Sequence, residues 1–195
     1  MSIRKLLTAA TGLTMLALVA APVTATAAPA ESTVAVRAIT VSGGAEYSQY
    51  VGQATQIWNS HVPNIRMSQV GSGGNITITV GSGGGSRASI GHGSGWIFLD
   101  RQQINQGYSP LRVVTHEMGH SLGLRDNYNR DCSILMSGGS AGTSCRNVNP
   151  SAAEANWVNR SFAGGRASTA STTDEVAVWS GDCWATPPAY GQKAA

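Results

Sequence analysis

The feature that most constrains this chain is the string His116-Glu117-Met118-Gly119-His120 in its middle. On a helix, residues four positions apart lie one above the other on the same face, so the imidazoles of His116 and His120 can reach one cation. Glu117 lies one position further round, which keeps its carboxylate out of the ligand set while letting it approach a metal-bound water as a base. The string therefore predicts a helix with a metal site and an adjacent proton acceptor.

The flanking residues supply the two ends that such a helix needs. Ser109 suits the N-cap, and Pro110 suits the first helical position, where its missing N–H costs nothing. Gly123 can adopt the left-handed conformation that closes a helix. We therefore predict that the helix runs from Pro110 to about Leu122.

A catalytic zinc site usually has three protein ligands and one open position, so a third ligand is required. Gly123 permits a sharp turn that brings the chain back beneath the metal and delivers the carboxylate of Asp126 by the shortest path. The alternative third ligand is Glu154, which lies three residues after Ser151, where helix capping alone explains a carboxylate. We therefore predict Asp126 and keep Glu154 as the alternative. His92, between two glycines, is interpreted as structural or solvent-facing.

The N-terminal segment has the three parts of a secretory signal. Arg4 and Lys5 precede an apolar run from Leu6 to Val19, and small residues at 25–28 approach a cleavage point. The run is too short for a comfortable membrane span, so we expect a soluble, extracellular product with no membrane partner. The predicted organisation is a signal peptide at 1–28, a short processed segment at 29–35, one folded domain at 36–163 and a low-complexity tail at 164–195.

Charge and cysteine content narrow the function classes. Removal of residues 1–28 takes away two cations and no acid, so the formal net charge falls from +3 to 13 − 2 − 10 = +1. The remaining Lys and Arg are scattered rather than clustered, so no nucleic-acid partner is expected. The three cysteines are Cys132, Cys145 and Cys183. In an oxidising compartment two of them should pair, which leaves one over.

Hydrophobic periodicity indicates an α+β domain. Between Ala45 and Ser60, apolar residues recur at three- and four-residue steps, as in a helix with one buried face, and strand-like segments follow. The glycine-rich stretch 81–85 lacks the Lys-Ser/Thr ending of a phosphate-binding loop and leads into another strand near Arg87. The predicted elements are a strand from about Val36, a helix at 45–60, strands at 65–70, 75–80 and 96–99, the central helix, and a last helix at 151–162.

The spacing His116-Glu117-x-x-His120-x-x-Gly123-x-x-Asp126 resembles the metzincin zinc signature, with aspartate in place of the usual third histidine. This variant is similar to the snapalysin family of small secreted neutral metalloproteases. The likeness covers roughly residues 36–163. It includes the strings Thr55-Gln56-Ile57-Trp58-Asn59-Ser60, Gly91-His92-Gly93, Ile97-Phe98-Leu99-Asp100 and Leu135-Met136-Ser137-Gly138-Gly139. The resemblance implies a metzincin-like α+β zinc peptidase in which a twisted mixed sheet carries an N-terminal helix, an active-site helix and a C-terminal helix.

The resemblance also implies roles for four residues downstream of the signature. Met136 would be the methionine of the turn that lies beneath the zinc. Cys132 and Cys145 match the family's disulfide, which closes a loop around that turn. Tyr128 matches the tyrosine whose hydroxyl helps to stabilise the oxyanion of the tetrahedral intermediate.

The cofactor implied is one Zn²⁺ per chain. Family members can bind calcium through an acidic residue just before the active-site helix, but Ser109-Pro110-Leu111 offers no carboxylate, which argues against Ca²⁺ there. The expected partners are extended polypeptide substrates bound along a sheet edge, for which the strand Gly95 to Asp100 is the candidate. The likeness implies cleavage on the amino side of Tyr or Phe, and a monomer is expected.

Two other function classes stay open. One is an extracellular binding module with a structural zinc, although such sites usually have four protein ligands rich in Cys. The other is a wall-binding or toxin-like protein that uses the tail aromatics Trp179, Trp184 and Tyr190 as a carbohydrate-stacking set. We favour a secreted zinc-dependent endopeptidase in which Glu117 is the general base.

Overall fold

A computed structural model describes residues 35–163 of the chain. The strands in this part are β1 (Arg37–Gly43), β2 (Ile65–Val70), β3 (Ile76–Gly81), β4 (Arg87–Ala88) and β5 (Gly95–Asp100). The α-helices are α1 (Ser48–His61), α2 (Arg101–Asn105), α3 (Pro110–Ser121) and α4 (Ala152–Ser161), with short 3₁₀ segments at Ala45–Tyr47 and Leu135–Ala141. No helix in the described residues has both the length and the apolar character that a membrane span needs.

The five strands form one mixed sheet in the order β2-β1-β3-β5-β4. Three pairs are parallel: β1 with β2, β1 with β3, and β3 with β5. Parallel neighbours need a crossover connection, and α1 supplies the one between β1 and β2. β4 runs antiparallel to β5. The predicted α+β class with a mixed sheet is confirmed.

The edge of the sheet differs from the prediction. β5 was expected to be the free edge, but β4 pairs with its middle and covers it. The cause is the glycine-rich turn before β4, where Gly83 and Gly85 have φ of 95° and 73° and both donate N–H to the carboxylate of Asp100 at 2.9 Å. This turn folds the chain back along β5, so β4 is the outer strand on this side.

The hydrophobic core fixes α3 against the sheet. Trp58, fully buried on α1, donates its indole N–H to the carbonyl of Thr115 on α3 at 3.0 Å. Alternate residues of β1 and β5 enter the same core, namely Ile39, Val41, Ile97 and Leu99. Burial of each such side chain contributes about 1.5–3 kcal/mol, so the position of α3 is set by packing along its length.

One helix boundary and one short helix differ from the prediction. Residues Ala45–Tyr47 form a 3₁₀ turn rather than the first turn of α1, because the φ of Ala45 is 41° and lies outside the α region. α2 was not predicted. Asp100 caps it by accepting from the N–H of Gln102 at 2.9 Å, and an aspartate directly after an apolar strand is the signal that indicates such a start.

The predicted signal peptide at 1–28, all but the last residue of the processed segment at 29–35, and the tail at 164–195 lie outside the described residues. The same holds for Cys183 and for the three tail aromatics considered above.

Candidate metal centre and its cleft

The helix α3 begins and ends as the sequence requires. The side chain of Ser109 accepts from the N–H of Arg112 at 3.4 Å, and Pro110 occupies the first turn. The helix is buried along almost its whole length, so the side chains of His116, Glu117 and His120 are only 0 %, 0 % and 3 % exposed. Burial of polar groups costs free energy unless they find partners, and these side chains therefore need a defined polar environment.

The chain leaves α3 through a turn that we call the post-helix turn, residues 122–126. Gly123, with φ of 98°, donates to the carbonyl of His120 at 2.8 Å, and Leu124 donates to that of Gly119 at 2.9 Å. These two bonds form a Schellman motif, which closes a helix with a left-handed residue. The carbonyl of Leu124 then lies 2.9 Å from Nδ1 of His120. A local turn thus orients one imidazole.

The second imidazole is oriented by a distant segment that we call the methionine turn, residues 134–137. Nδ1 of His116 lies 3.1 Å from the carbonyl of Leu135, nineteen residues further along the chain. Because both Nδ1 atoms face carbonyl oxygens, Nδ1 carries the proton of each neutral imidazole, and Nε2 is the nitrogen that can bind a metal ion once its own proton has left. Both histidines therefore present the nitrogen that a metal ion needs.

Asp126 completes the group. Its Oδ1 lies 3.2 Å from Nε2 of His116 and 3.4 Å from Nε2 of His120. The ligand atoms of these three residues all lie within 4.8 Å of one another, so they could hold one metal ion. Two imidazole nitrogens and one carboxylate oxygen are a donor set that suits zinc.

The charges of the group favour binding of a cation. Burial lowers the pKa of His120, but the hydrogen bond with Asp126 and the negative charges of Glu117 and Asp126 outweigh burial and raise it to about 9. Burial raises the pKa of Asp126, but hydrogen bonds with His116 and His120 outweigh it and hold this pKa well below its usual value. The metal-free group thus holds a carboxylate against a protonated imidazole, and a divalent cation would replace that proton.

Tyr128 lies directly beside the third predicted ligand. Its hydroxyl donates to Oδ2 of Asp126 at 2.9 Å, and the ring is half-buried. Both residues line the same cleft. The structure therefore brings together all five predicted ligand and catalytic side chains, which are His116, Glu117, His120, Asp126 and Tyr128.

The methionine turn packs against α3 between the two histidines. Met136 is 1 % exposed, and a Cβ built on Gly119 would lie 2.7 Å from its Sδ atom. A side chain at position 119 would therefore require Met136 to shift. A disulfide joins Cys132 and Cys145 on either side of the turn, with a Cα–Cα distance of 5.6 Å. The N–H of Asn127 donates to the carbonyl of Met136 at 2.7 Å and ties the post-helix turn to the methionine turn.

Glu154, the alternative third ligand, is not part of the metal group. It forms the predicted capping box with Ser151, and its carboxylate also accepts from the N–H groups of Leu135 and Met136 at 3.2 and 2.8 Å. Sequence reasoning found the capping box but missed the contacts to the methionine turn.

Arg112 was missed altogether. It is 1 % exposed, and its guanidinium donates to the carbonyls of Ile134, Leu135 and Asn147 and to Oγ of Ser137 at 2.6 to 3.2 Å. The available signal was a cation one turn before His116 on the buried face of the helix.

His92 stacks on Phe162, with ring centroids 4.0 Å apart, and burial lowers its pKa. The residues around it tie the sheet to α3, because Gly91 and Gly93 donate N–H to the carbonyls of His120 and Ser121 at 3.0 and 2.8 Å. His92 thus has the structural role that its place in the sequence predicts.

A cleft of about 260 Å³ opens beside the metal group. One wall is the edge strand with Ile90, two residues beyond it, and the other wall comes from His120, the post-helix turn and Tyr128. The lining residues are Arg87, Ala88, Ile90, His120, Arg125, Asp126 and Tyr128. An open strand edge can accept an extended peptide as a further strand. Within residues 35–163, β4 is the last strand on the side of the sheet where His120 and Asp126 line the cleft.

The model of the Streptomyces extracellular neutral proteinase (M7) family matches residues 32–165, which is more than half of the chain. The chain belongs to the M7 family. Its M7 relatives include proteins named extracellular small neutral protease. That of Streptomyces caespitosus is 47% identical over 128 residues, which are 64% of this chain and 94% of the relative. That of Streptomyces sp. (strain C5) is 42% identical over 142 residues, which are 71% of this chain and 62% of the relative.

The M7 chain therefore spans less than two thirds of the length of the strain C5 relative. Among solved structures, myroilysin matches with a TM-score of 0.47 and 18% identity, covering 70% of this chain and 88% of the myroilysin chain.

Proposed function

We propose that this M7 chain is a secreted, zinc-dependent endopeptidase. The observation that carries the proposal is the convergence of His116, His120 and Asp126 at the end of an open cleft. Both imidazoles present Nε2 to the same carboxylate, and two of the three donors also line the cleft, which leaves one side accessible to substrate. A zinc site with three protein ligands and an open position is typical of hydrolases. The relatives' name, extracellular small neutral protease, supports the same activity and secretion.

The chain's own residues would divide the reaction between them. When bound, zinc would supply a Lewis acid that polarises the scissile carbonyl and lowers the pKa of water. Glu117, fully buried between the two histidines along the helix, would take a proton from the attacking water and return it to the leaving amine. Tyr128 would turn its hydroxyl from Asp126 to the substrate and donate to the developing oxyanion.

The substrate would bind as an added strand along β4 rather than along β5. β4 is the outer strand, and Arg87 and Ala88 of β4 line the cleft together with His120 and Asp126. Main-chain hydrogen bonds to this edge would give affinity without sequence preference. Preference for the amino side of Tyr or Phe, which the snapalysin likeness implies, would come from a neighbouring pocket.

The organisation of the chain is part of the proposal. A signal peptide at 1–28 and a processed segment at 29–35 would precede the protease domain at 36–163, and the tail at 164–195 would follow it. N-terminal sequencing of the protein recovered from culture medium tests this division.

The decisive experiment is Glu117→Ala in the zinc-loaded chain. We expect kcat/KM for casein to fall by about 10²–10⁴-fold, because the general base is lost, while the zinc content and the unfolding temperature stay near those of the wild type. Glu46→Ala is the matched control, since Glu46 is an exposed carboxylate paired with Arg101 and remote in sequence from the cleft. Full activity in Glu117→Ala would end the proposed mechanism.

The alternative of a binding module with a structural zinc finds less support. A structural site is usually closed by four protein ligands, whereas the group in residues 35–163 has three ligand residues. Casein cleavage by the purified chain, abolished by a chelator and restored by zinc, would distinguish the enzyme from the module.

A further inference from the structure

Glu154 has contacts that helix capping does not explain. Its Oε2 accepts from the N–H of Ser151 at 2.6 Å, which is the capping interaction. The same oxygen accepts from Leu135, and Oε1 accepts from Met136. A cap needs only the first of these bonds, so both carboxylate oxygens are also committed to the methionine turn, from a side chain that is 9 % exposed.

One peptide group connects Glu154 to a metal ligand. The carbonyl of Leu135 and the N–H of Met136 belong to the same peptide unit, which is planar and stiff. The oxygen of this unit lies 3.1 Å from Nδ1 of His116, and its N–H donates to Glu154 at 2.8 Å. A change at Glu154 therefore reaches His116 through a single rigid unit.

We propose that Glu154 is a positioning residue for His116 and acts through the Leu135–Met136 peptide group. In many metal sites a carboxylate accepts directly from the ligating histidine, which fixes its tautomer and raises its basicity. Here the carboxylate of Glu154 would fix the tautomer of His116 and raise its basicity through the intervening Leu135–Met136 peptide group. A negative charge at the peptide N–H polarises the unit and makes its oxygen a stronger acceptor for the imidazole N–H.

Arg112 would balance this charge and hold the other side of the turn. Its Nη2 donates to the carbonyls of Ile134 and Leu135 at 3.0 and 3.2 Å and to Oγ of Ser137 at 2.9 Å. Burial lowers the pKa of Arg112, and the negative charge of Glu154 opposes that effect. The methionine turn is therefore held between a buried anion on α4 and a buried cation on α3.

This inference rests on the proposed zinc site, and metal affinity tests it apart from activity. In Glu154→Gln one end of the side chain becomes a donor and cannot accept from an N–H. We expect the zinc dissociation constant, measured by chelator competition on the metal-free chain, to rise about 10- to 100-fold. The absorption spectrum of the cobalt-substituted chain should change as well, because a displaced His116 alters the ligand field.

The matched control is Ser151→Ala. It removes the other half of the same capping box, the bond from the N–H of Glu154 to Oγ of Ser151, but leaves the contact with the methionine turn. We expect this variant to lower the unfolding temperature while its zinc dissociation constant stays within about twofold of the wild type, because both ligand-orienting bonds are retained.

The outcomes are distinguishable. If Ser151→Ala weakens zinc binding as much as Glu154→Gln, or if Glu154→Gln binds zinc as the wild type does, the positioning role is wrong and the proposed function stands. If the wild-type chain binds no zinc, the proposed function fails first. If Glu154→Gln does not fold, Glu154→Asp is the second variant. It keeps the negative charge but shortens the side chain by one methylene. Wild-type zinc affinity in Glu154→Asp would overturn the inference.

Discussion

The post-helix turn and the methionine turn do the same task by different means. Each presents a carbonyl oxygen to Nδ1 of one histidine, but the donor and acceptor are four residues apart for His120 and nineteen for His116. The first arrangement needs only a helix end with glycine. The second needs a disulfide, the separate contacts of the buried Arg112 and Glu154 side chains, and the packing of α4. One half of the site is therefore local, and the other half depends on the tertiary fold.

The largest expected effect concerns the ligand that the post-helix turn delivers. Asp126→Ala should lose zinc at concentrations that saturate the wild type, because one of three ligands is gone. Glu154→Ala should still bind zinc at high concentration, because that side chain supports the methionine turn without touching the metal. Metal analysis of both purified variants checks the difference. Zinc loss in Glu154→Ala alone would reverse the two assignments.

The next effect concerns the bridge around the methionine turn. Replacing Cys132 and Cys145 by Ser should lower the free energy of unfolding by about 3 kcal/mol in the chain-entropy model for a loop of about 15 residues. Urea denaturation measures this loss. Cys183→Ser is the matched control, because it removes one sulfur without touching the bridge. If the double variant lost no stability, the idea that the bridge braces this half of the site would be wrong.

A smaller effect tests the post-helix turn, which is the local half of the site. At Gly123 a Cβ would lie 3.0 Å from the ring of Trp157, and φ is 98°, whereas at Gly142 φ is 81° and nothing lies within 4 Å. Both Gly→Ala variants should lose about 1–2 kcal/mol from the left-handed backbone, and Gly123→Ala should lose about 1–3 kcal/mol more from crowding. Thermal unfolding of the pair measures the difference. Equal losses of stability in the two variants would show that the Trp157 ring moves aside without a measurable cost.

The smallest effect is a pH dependence of the metal-free chain. The pKa of His120 is raised to about 9, above its ordinary 6.5, so its stabilising contribution is fully present below pH 6.5 and is lost as the pH rises through 9. The unfolding temperature of the metal-free chain should therefore fall by a few degrees across this window. In the zinc-loaded chain the trend should reverse, because protons compete with zinc. His120→Gln should remove the fall in the metal-free chain.

The contrast between the two turns also explains what the sequence could reveal. Ser109, Pro110 and Gly123 act on neighbours within a few residues. The helix ends were predicted correctly from them, and the structure places Asp126 beside both histidines. These features arise from backbone geometry and capping, which depend on local sequence. The site's local half was therefore accessible without a structure.

The tertiary half was not accessible in the same way. Glu154 was interpreted as a capping residue and kept as the alternative ligand. Its bonds to Leu135 and Met136 were not predicted, because they join segments that are eighteen and more residues apart. Gly119 gave no signal, because the contact that disfavours a side chain there is with Sδ of Met136, a residue distant in the sequence. A strand near Arg87 was predicted, but its place as the outer strand was not, because two residues are too few to show which neighbour they pair with.

The brevity of β4 has a consequence for the range of targets. A strand of two residues can offer a guest peptide only a few main-chain hydrogen bonds, so a bound segment is held over a short length. This binding mode requires of the substrate only a short flexible segment that can adopt an extended conformation. Stably folded proteins, whose backbone groups are already hydrogen-bonded in their own sheets and helices, should resist cleavage. Partly unfolded or denatured proteins should be cleaved first.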